Sequence, residues 1–196
     1  IYGIKTLLEL VSEEAKLEKE QANFLDIAIK ECDRMADLVK KLQRFYKPSP
    51  AIKRPTDINQ IIGNMLILTH KSMQERRITL IKHLSSDLPK VHCVSDQIEQ
   101  VLLNILQNAA EAIPPAAPIK TITLTTETEG SHVKIHVQDS GVGISQEVIK
   151  TMFDPFFTTK SAVKGTGLGL SVSYGIIKAH GGEILADSKI DEGTMF

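Results

Sequence analysis

Apolar residues recur at helical spacing in the first quarter of the chain and at strand and helix spacing in turn beyond it. Ile4, Leu7, Leu8 and Val11 fall three and four residues apart and predict a helix that breaks at the polar run Ser12-Glu13-Glu14. A longer helix is predicted from about Lys19 to Tyr46, with Phe24, Ala28, Met35, Leu38, Leu42 and Phe45 on one stripe. That stripe is close to the 3.5-residue repeat of helices packed lengthwise. Two helices alone bury little, so the stripe is expected to meet a second copy of itself in a dimeric four-helix bundle. An intramolecular bundle is the alternative.

Pro48-Ser49-Pro50 stops the long helix, since proline lacks the N–H and restricts the residue before it. Pro55 follows. The expected division is therefore a helical hairpin over 1–47, a linker over 48–55 and a second domain over 56–196.

In the second domain, Thr56 or Asp57 can cap a helix carrying Ile58, Ile61, Ile62, Met65 and Leu66. Strands are predicted at Ile78–Leu84 and Val91–Val94. Asp96 with Glu99 three positions on has the capping-box arrangement and predicts a helix through Ile113, stopped by Pro114-Pro115. Strands at Thr121–Thr128 and His132–Asp139 flank a Glu-Gly-Ser turn and read as a hairpin. A short helix at Gln146–Met152, a helix from Leu168 to His180 ended by Gly181-Gly182, and a strand at Glu183–Ser188 follow. A turn at Asp191-Glu192-Gly193 and a last strand close the pattern. Hairpin-rich strands with helices on one face predict an α+β sandwich.

Composition narrows the function. The chain has 196 residues, 42% hydrophobic and 24% charged, with a formal net charge of −1. Residues 1–47 carry nine Lys/Arg against nine Asp/Glu. No basic surface for nucleic acid follows from this balance, and no polybasic arm. No apolar run approaches the ~18 residues of a membrane span, and no signal peptide is visible. Cys32 and Cys93 fit no metal-type spacing and read as buried thiols, in keeping with a reducing cytoplasm. Ile1 opens in the middle of an apolar pattern and Phe196 closes a strand pattern, so both ends read as the interior of a longer chain.

Three clusters carry candidate chemistry. Asn104 and Asn108, four apart, share one face of a strongly apolar helix, where polar amides need a reason. A carboxamide oxygen is a neutral hard ligand suited to Mg²⁺ that already has phosphate oxygens around it. Caps or surface amides are the plainer reading. Asp139 ends a strand and precedes Gly141 and Gly143. Its carboxylate can accept from the exocyclic amino group of adenine, and the glycines permit close backbone approach. Asp-x-Gly-x-Gly also suits a simple turn. Gly165-Thr166-Gly167-Leu168-Gly169-Leu170 opens a helix, whose free N–H groups and dipole suit phosphate. Neither a P-loop nor the dinucleotide fingerprint occurs. Between the glycine blocks, residues 154–166 are expected to form a mobile lid. Phe153, Phe156 and Phe157 would anchor it or dock it on the helical domain, and Lys160 is its best cation to reach a γ-phosphate. A solvated lysine is the alternative.

These blocks, in this order, resemble the N, G1, F and G2 boxes of bacterial sensor histidine kinases. Asn-Ala-Ala-Glu-Ala and Phe-Phe-Thr-Thr-Lys are most similar to the nitrogen-regulation and sporulation-kinase branch. The resemblance implies a histidine-kinase/gyrase/Hsp90-like ATPase domain behind a dimerisation hairpin, with ATP and Mg²⁺ as cofactors. It gives Asn104 to Mg²⁺, Asn108 to the phosphates, Asp139 to adenine, and Thr194, after Gly193, to the adenine site. It implies a homodimer, a response-regulator receiver domain as partner and a cytoplasmic setting, with any membrane tether supplied by a sensor region outside this chain.

The expected reaction is transfer of the γ-phosphoryl group to a histidine and then to a regulator's aspartate. His70, His83, His92, His132, His136 and His180 all lack the acceptor pattern and read as structural. The family's acceptor box precedes an Ile-x-Gly element, and the chain opens Ile1-Tyr2-Gly3. The accepting histidine is therefore expected upstream of Ile1. One rival is a gyrase- or chaperone-type ATPase, which uses a glutamate one turn before the first asparagine. Gln100 stands there instead, with Glu99 adjacent and facing elsewhere. The other rival is a non-catalytic ATP-binding signalling module.

Overall fold

A computed structural model describes residues 2–15, 18–46, 52–160 and 166–196, with the backbone alone at 14, 34 and 37–46. Ile1, Lys47, residues 48–51 of the expected linker, residues 161–165 of the expected lid with Gly165 among them, and the side chains of Leu38, Leu42 and Phe45 lie outside it. The chain forms two compact units, Ile1–Pro50 and Ala51–Phe196.

The first unit pairs α1 (Tyr2–Glu14) with α2 (Lys19–Tyr46). Lys5 donates to Asp33 at 2.6 Å across the pair, and Cys32 is buried. Ile4, Leu7, Val11, Phe24 and Ile27 nevertheless remain exposed within the chain.

The second unit is a mixed sheet covered by helices. β1 (Arg54–Thr56) pairs antiparallel with β3 (Val91–Cys93) in a small sheet of its own, so Arg54 and Pro55, expected in the linker, are strand residues. The main sheet has the order β2-β4-β5-β7-β6, built from β2 (Thr79–Leu84), β4 (Thr121–Glu129), β5 (His132–Asp139), β6 (Asp187–Lys189) and β7 (Gly193–Met195). β2 runs parallel to β4, and the other pairs are antiparallel.

Helix α3 (Ile58–Glu75) is capped by Asp57, whose carboxylate accepts from the N–H groups of Asn59 and Gln60. Its Ile58, Ile61, Ile62, Met65 and Met73 face α4 (Ser95–Ala112), which contributes Ile98, Val101, Leu102, Ile105 and Leu106. Both helices bury this face with Ile122 and Leu124 of β4 and Val137 of β5. α5 (Gln146–Thr151) and α6 (Gly169–Ala179) complete the order.

Two expectations are corrected. Asp96 is not a cap: α4 starts one residue earlier, at Ser95, and Asp96 lies in its first turn. The N-cap is Val94, whose N–H donates to His180 Nε2 at 3.0 Å. The expected strand at Glu183–Ser188 begins only at Asp187, because the partner strand β7 is short and pairs with 187–189 alone. The Cys32 and Cys93 thiols are free and buried, as read from the sequence.

Candidate functional site

Helix α4 organises the site along one face. Asn104, Asn108 and Ala112 fall on successive turns, a line of roughly 12 Å at 1.5 Å per residue. Each meets a different segment.

At Asn104, the amide Nδ2 donates to the Gly169 carbonyl at 3.1 Å and to Ser173 Oγ at 3.2 Å. A carbonyl only accepts, so this contact fixes the amide's orientation. Both donors are turned to α6, and Oδ1 is the end left for a ligand. Ser173, fully buried, donates in turn to the Gly169 carbonyl. The sequence reading missed Ser173; its place one turn past Gly169 was the available signal. Among the described residues no group of three or more His, Cys, Asp or Glu side chains could hold a metal. A single neutral oxygen ligand fits Mg²⁺ whose other ligands are phosphate and water oxygens.

At Asn108, Oδ1 accepts from Lys160 Nζ at 3.1 Å, and the same ammonium pairs with Glu111. Lys160, read from the sequence as the best cation to reach a γ-phosphate, thus lies beside Asn108. Glu111 was not singled out from the sequence.

At Ala112, the carbonyl accepts from the Val142 N–H at 3.1 Å, and a Cβ on Gly141 would lie 2.7 Å from that carbonyl oxygen. Only glycine lets the strand end come this close. Asp139 sits beside this contact and is 4% exposed. Its Oδ1 accepts from the N–H of Gly141 at 2.8 Å and of Thr194 at 3.3 Å. Burial pushes its carboxyl above the ordinary aspartate range, opposed by those two N–H groups. Thr194 is buried, and its hydroxyl lies 2.9 Å from Ser188 Oγ. Ser188 also accepts from the Ile144 N–H at 2.8 Å, so it fastens the Gly143 loop to the last strands. Ser188 carried no sequence signal, because its role depends on β6 pairing with β7. Gly143, at φ +70°, passes against the Lys189 backbone, where a Cβ would sit 2.1 Å from the carbonyl oxygen.

The second glycine block opens α6. Leu168 is the buried N-cap, with no side-chain cap bond, and its N–H lies 3.4 Å from Thr166 Oγ1. The first-turn N–H groups, from Gly169 and Leu170 onward, are therefore available to an anion. Gly167, at φ +65°, packs on the Phe156 backbone and accepts its N–H at 2.9 Å. Phe153 stacks obliquely on Tyr174 of α6, with ring centroids 5.5 Å apart. The Phe153 ring and the Phe156 backbone therefore tie residues 153–156 to α6 and its approach. Gly165, named with this block, is outside the described residues.

A cavity of about 400 Å³ opens beside the Gly141-Val142 turn, lined by Pro114, Ala117, Pro118, Ile119 and Asp191 among others. It shares only Gly141 with the residues expected at the site, and it lacks Asn104, Asn108, Asp139 and Lys160. The convergent polar groups along α4 lie outside the lining of this cavity.

Among the six histidines, His180 caps the end of α6. Its Nδ1 bonds the Ile176 carbonyl at 2.8 Å while Nε2 accepts from Val94. His136 pairs with Glu127. Among the described residues no helix is long and apolar enough to cross a membrane.

Residues 93–196, just over half of the chain, match the family described as histidine kinase-, DNA gyrase B-, and HSP90-like ATPase. Over 194 residues the chain is 35% identical to the sensor histidine kinase ZraS of Escherichia coli (strain K12), covering 99% of itself and 41% of that protein. The chain thus spans less than half the length of this curated relative. The nucleotide-free catalytic domain of histidine kinase ThkA is similar at 32% identity and a TM-score of 0.61, over 71% of this chain and 88% of that one. Histidine kinase ThkA in complex with the response regulator protein TrrA is similar in fold, with a TM-score of 0.69 at 23% identity, over 100% of this chain and 55% of that one.

Proposed function

The chain belongs to the sensor histidine kinases and carries their histidine kinase-, DNA gyrase B-, and HSP90-like ATPase domain, and from that premise we propose that it binds Mg-ATP along α4 and directs the γ-phosphoryl group to a histidine. The observation that supports this reading is the line Asn104–Asn108–Ala112. It sets the buried Asp139 at one end and the start of α6 at the other.

In this reading Asp139 accepts from the adenine amino group, and Thr194 holds that carboxylate through its N–H. Gly141 and Gly143 let the backbone lie close to the base. Asn108 and Lys160 hold the phosphate chain, with the N–H groups of Gly167, Leu168, Gly169 and Leu170 and the hydroxyl of Thr166 around it. Asn104 would hold Mg²⁺ through its Oδ1, and the bound ion would supply neutralisation of the phosphate charge. An imidazole nitrogen forms the new bond to phosphorus as the bond to the bridging β,γ-oxygen breaks, and ADP departs. A receiver-domain aspartate of a response regulator then takes the phosphoryl group. Positioning and charge stabilisation are all that the site contributes.

Water is a poor acceptor here. The position on α4 one turn before Asn104 is Gln100, which cannot act as a general base. Glu99 lies on another face, with Ser95 Oγ 3.5 Å from its carboxylate. This argues for a kinase and against a hydrolytic ATPase. The apolar residues left exposed on α1 and α2 support a homodimer through the hairpin.

Incubating the native protein that carries this chain with ATP labelled in the γ-phosphate tests the proposal. The expected product is a phosphoprotein that is acid-labile and base-stable, and that passes its label to a receiver domain. Rapid multiple-turnover hydrolysis lost on Glu99→Gln would establish the ATPase instead.

A further inference from the structure

Lys160 is shared between two groups of α4, and the second of them is an anion. Its ammonium donates to Asn108 Oδ1 at 3.1 Å and pairs with the Glu111 carboxylate. Glu111 lies three residues beyond Asn108, on the adjacent strip of the helix. Both partners are about two-fifths exposed, 37% for the lysine side chain and 42% for the glutamate. Neither is therefore held by packing, and the pair can be exchanged for another. An ammonium has three N–H donors. Two face Asn108 and Glu111, so an arriving phosphate oxygen meets a cation whose charge is already matched.

Resting on the nucleotide reading above, we propose that Glu111 competes with the terminal phosphate for Lys160 and thereby sets how strongly the site prefers triphosphate to diphosphate. A carboxylate and a phosphate are both oxyanions that accept from the same ammonium. While Glu111 holds Lys160, the ammonium contributes little to either nucleotide. Only a ligand with the additional charge of a γ-phosphate displaces the carboxylate. Glu111 is a positioning residue in this account, acting through Lys160 and Asn108.

Titrations of ATP and ADP with Mg²⁺ into the 196-residue chain test it. Glu111→Gln keeps the shape and removes the charge. It is expected to tighten ATP about two- to fivefold, the scale of an exposed ion pair, and ADP by less. In a Lys160→Ala background the same substitution is expected to leave ATP affinity unchanged. Glu111→Asp, with its carboxylate drawn back by one methylene, is a second variant and should fall between parent and Glu111→Gln. Equal tightening with and without Lys160 would make Glu111 a general repulsive charge and overturn the proposal. So would unchanged or weakened ATP binding in the Glu111→Gln chain. A parent chain that binds neither nucleotide would remove the nucleotide reading itself, a result distinct from either of these.

Discussion

The Asn104 amide nitrogen donates to the Gly169 carbonyl oxygen at 3.1 Å, so the residue proposed to offer its oxygen to a cation also ties α4 to the first residue of α6. Asn104→Ala is therefore expected to do two things. It removes the Mg²⁺ dependence of triphosphate binding, and it lowers stability by about 1 kcal/mol through the lost bond. Asn104→Asp keeps an oxygen for the metal but cannot donate to Gly169, and it should cost the fold about 1–3 kcal/mol. Fluorescent-nucleotide titration with and without Mg²⁺, beside urea unfolding, checks both. Unchanged Mg²⁺ dependence in Asn104→Ala would remove its role as a ligand.

Asp139 makes stability depend on pH in a definite direction. Its carboxyl is raised by burial, so the folded chain binds a proton at pH values where the unfolded chain has released it. The buried charge therefore destabilises the fold at neutral pH, and that cost is relieved as the pH falls through the raised value. Asp139→Asn is expected to be more stable than the parent at neutral pH, with the advantage shrinking towards about pH 4, the ordinary aspartate value. Urea unfolding of both chains across this range measures it. A constant difference would contradict the assignment.

Gly193 is at φ +102°, and a Cβ there would lie 2.0 Å from the Asp139 carbonyl oxygen. Gly193→Ala should cost about 2 kcal/mol or more from strain and overlap together. Because the shift moves the Asp139 backbone, ATP affinity should fall with it. Thermal unfolding and nucleotide titration of one variant report both losses; a fully stable Gly193→Ala chain would refute the packing argument.

His180 accepts the Val94 N–H at the start of α4 and closes the last turn of α6. His180→Ala leaves that part-buried N–H without its partner and is expected to cost about 1–3 kcal/mol. Hydrogen exchange at the Val94 amide should quicken in the variant, and unaltered protection there would speak against the bond.

The hairpin carries an exposed apolar row in which Leu7 is 65% exposed. Sedimentation at tens of micromolar, roughly, should find a dimer, and Leu7→Glu should dissociate it by burying an unpaired charge. A monomeric parent would contradict the shared bundle.

Most elements were legible because their residues carry period and punctuation together. α2 ends where the sequence places it, before Pro48, and α4 keeps its apolar face with Asn104 and Asn108 on one line. The N-terminus of α4 was misread because its partner is His180, 86 residues away, a contact that no local capping rule contains. Ser173, Ser188 and Glu111 escaped for the same reason. Serine and glutamate are ordinary surface residues until pairing brings Gly169, Ile144 or Lys160 against them. Motif spacing named the residues at the two ends of the proposed site, and tertiary contacts supplied what holds those residues in place.

The central claim is that one face of α4 reads a nucleotide from base to metal. Calorimetric titration of the 196-residue chain with ATP and GTP, each with and without Mg²⁺, tests it most directly when repeated on Asp139→Asn. The account predicts Mg²⁺-dependent binding that favours ATP over GTP, and a loss of about 1–3 kcal/mol with a blunted preference in the variant. Unchanged ATP affinity in Asp139→Asn, or equal affinity of the parent chain for both nucleotides, would contradict it.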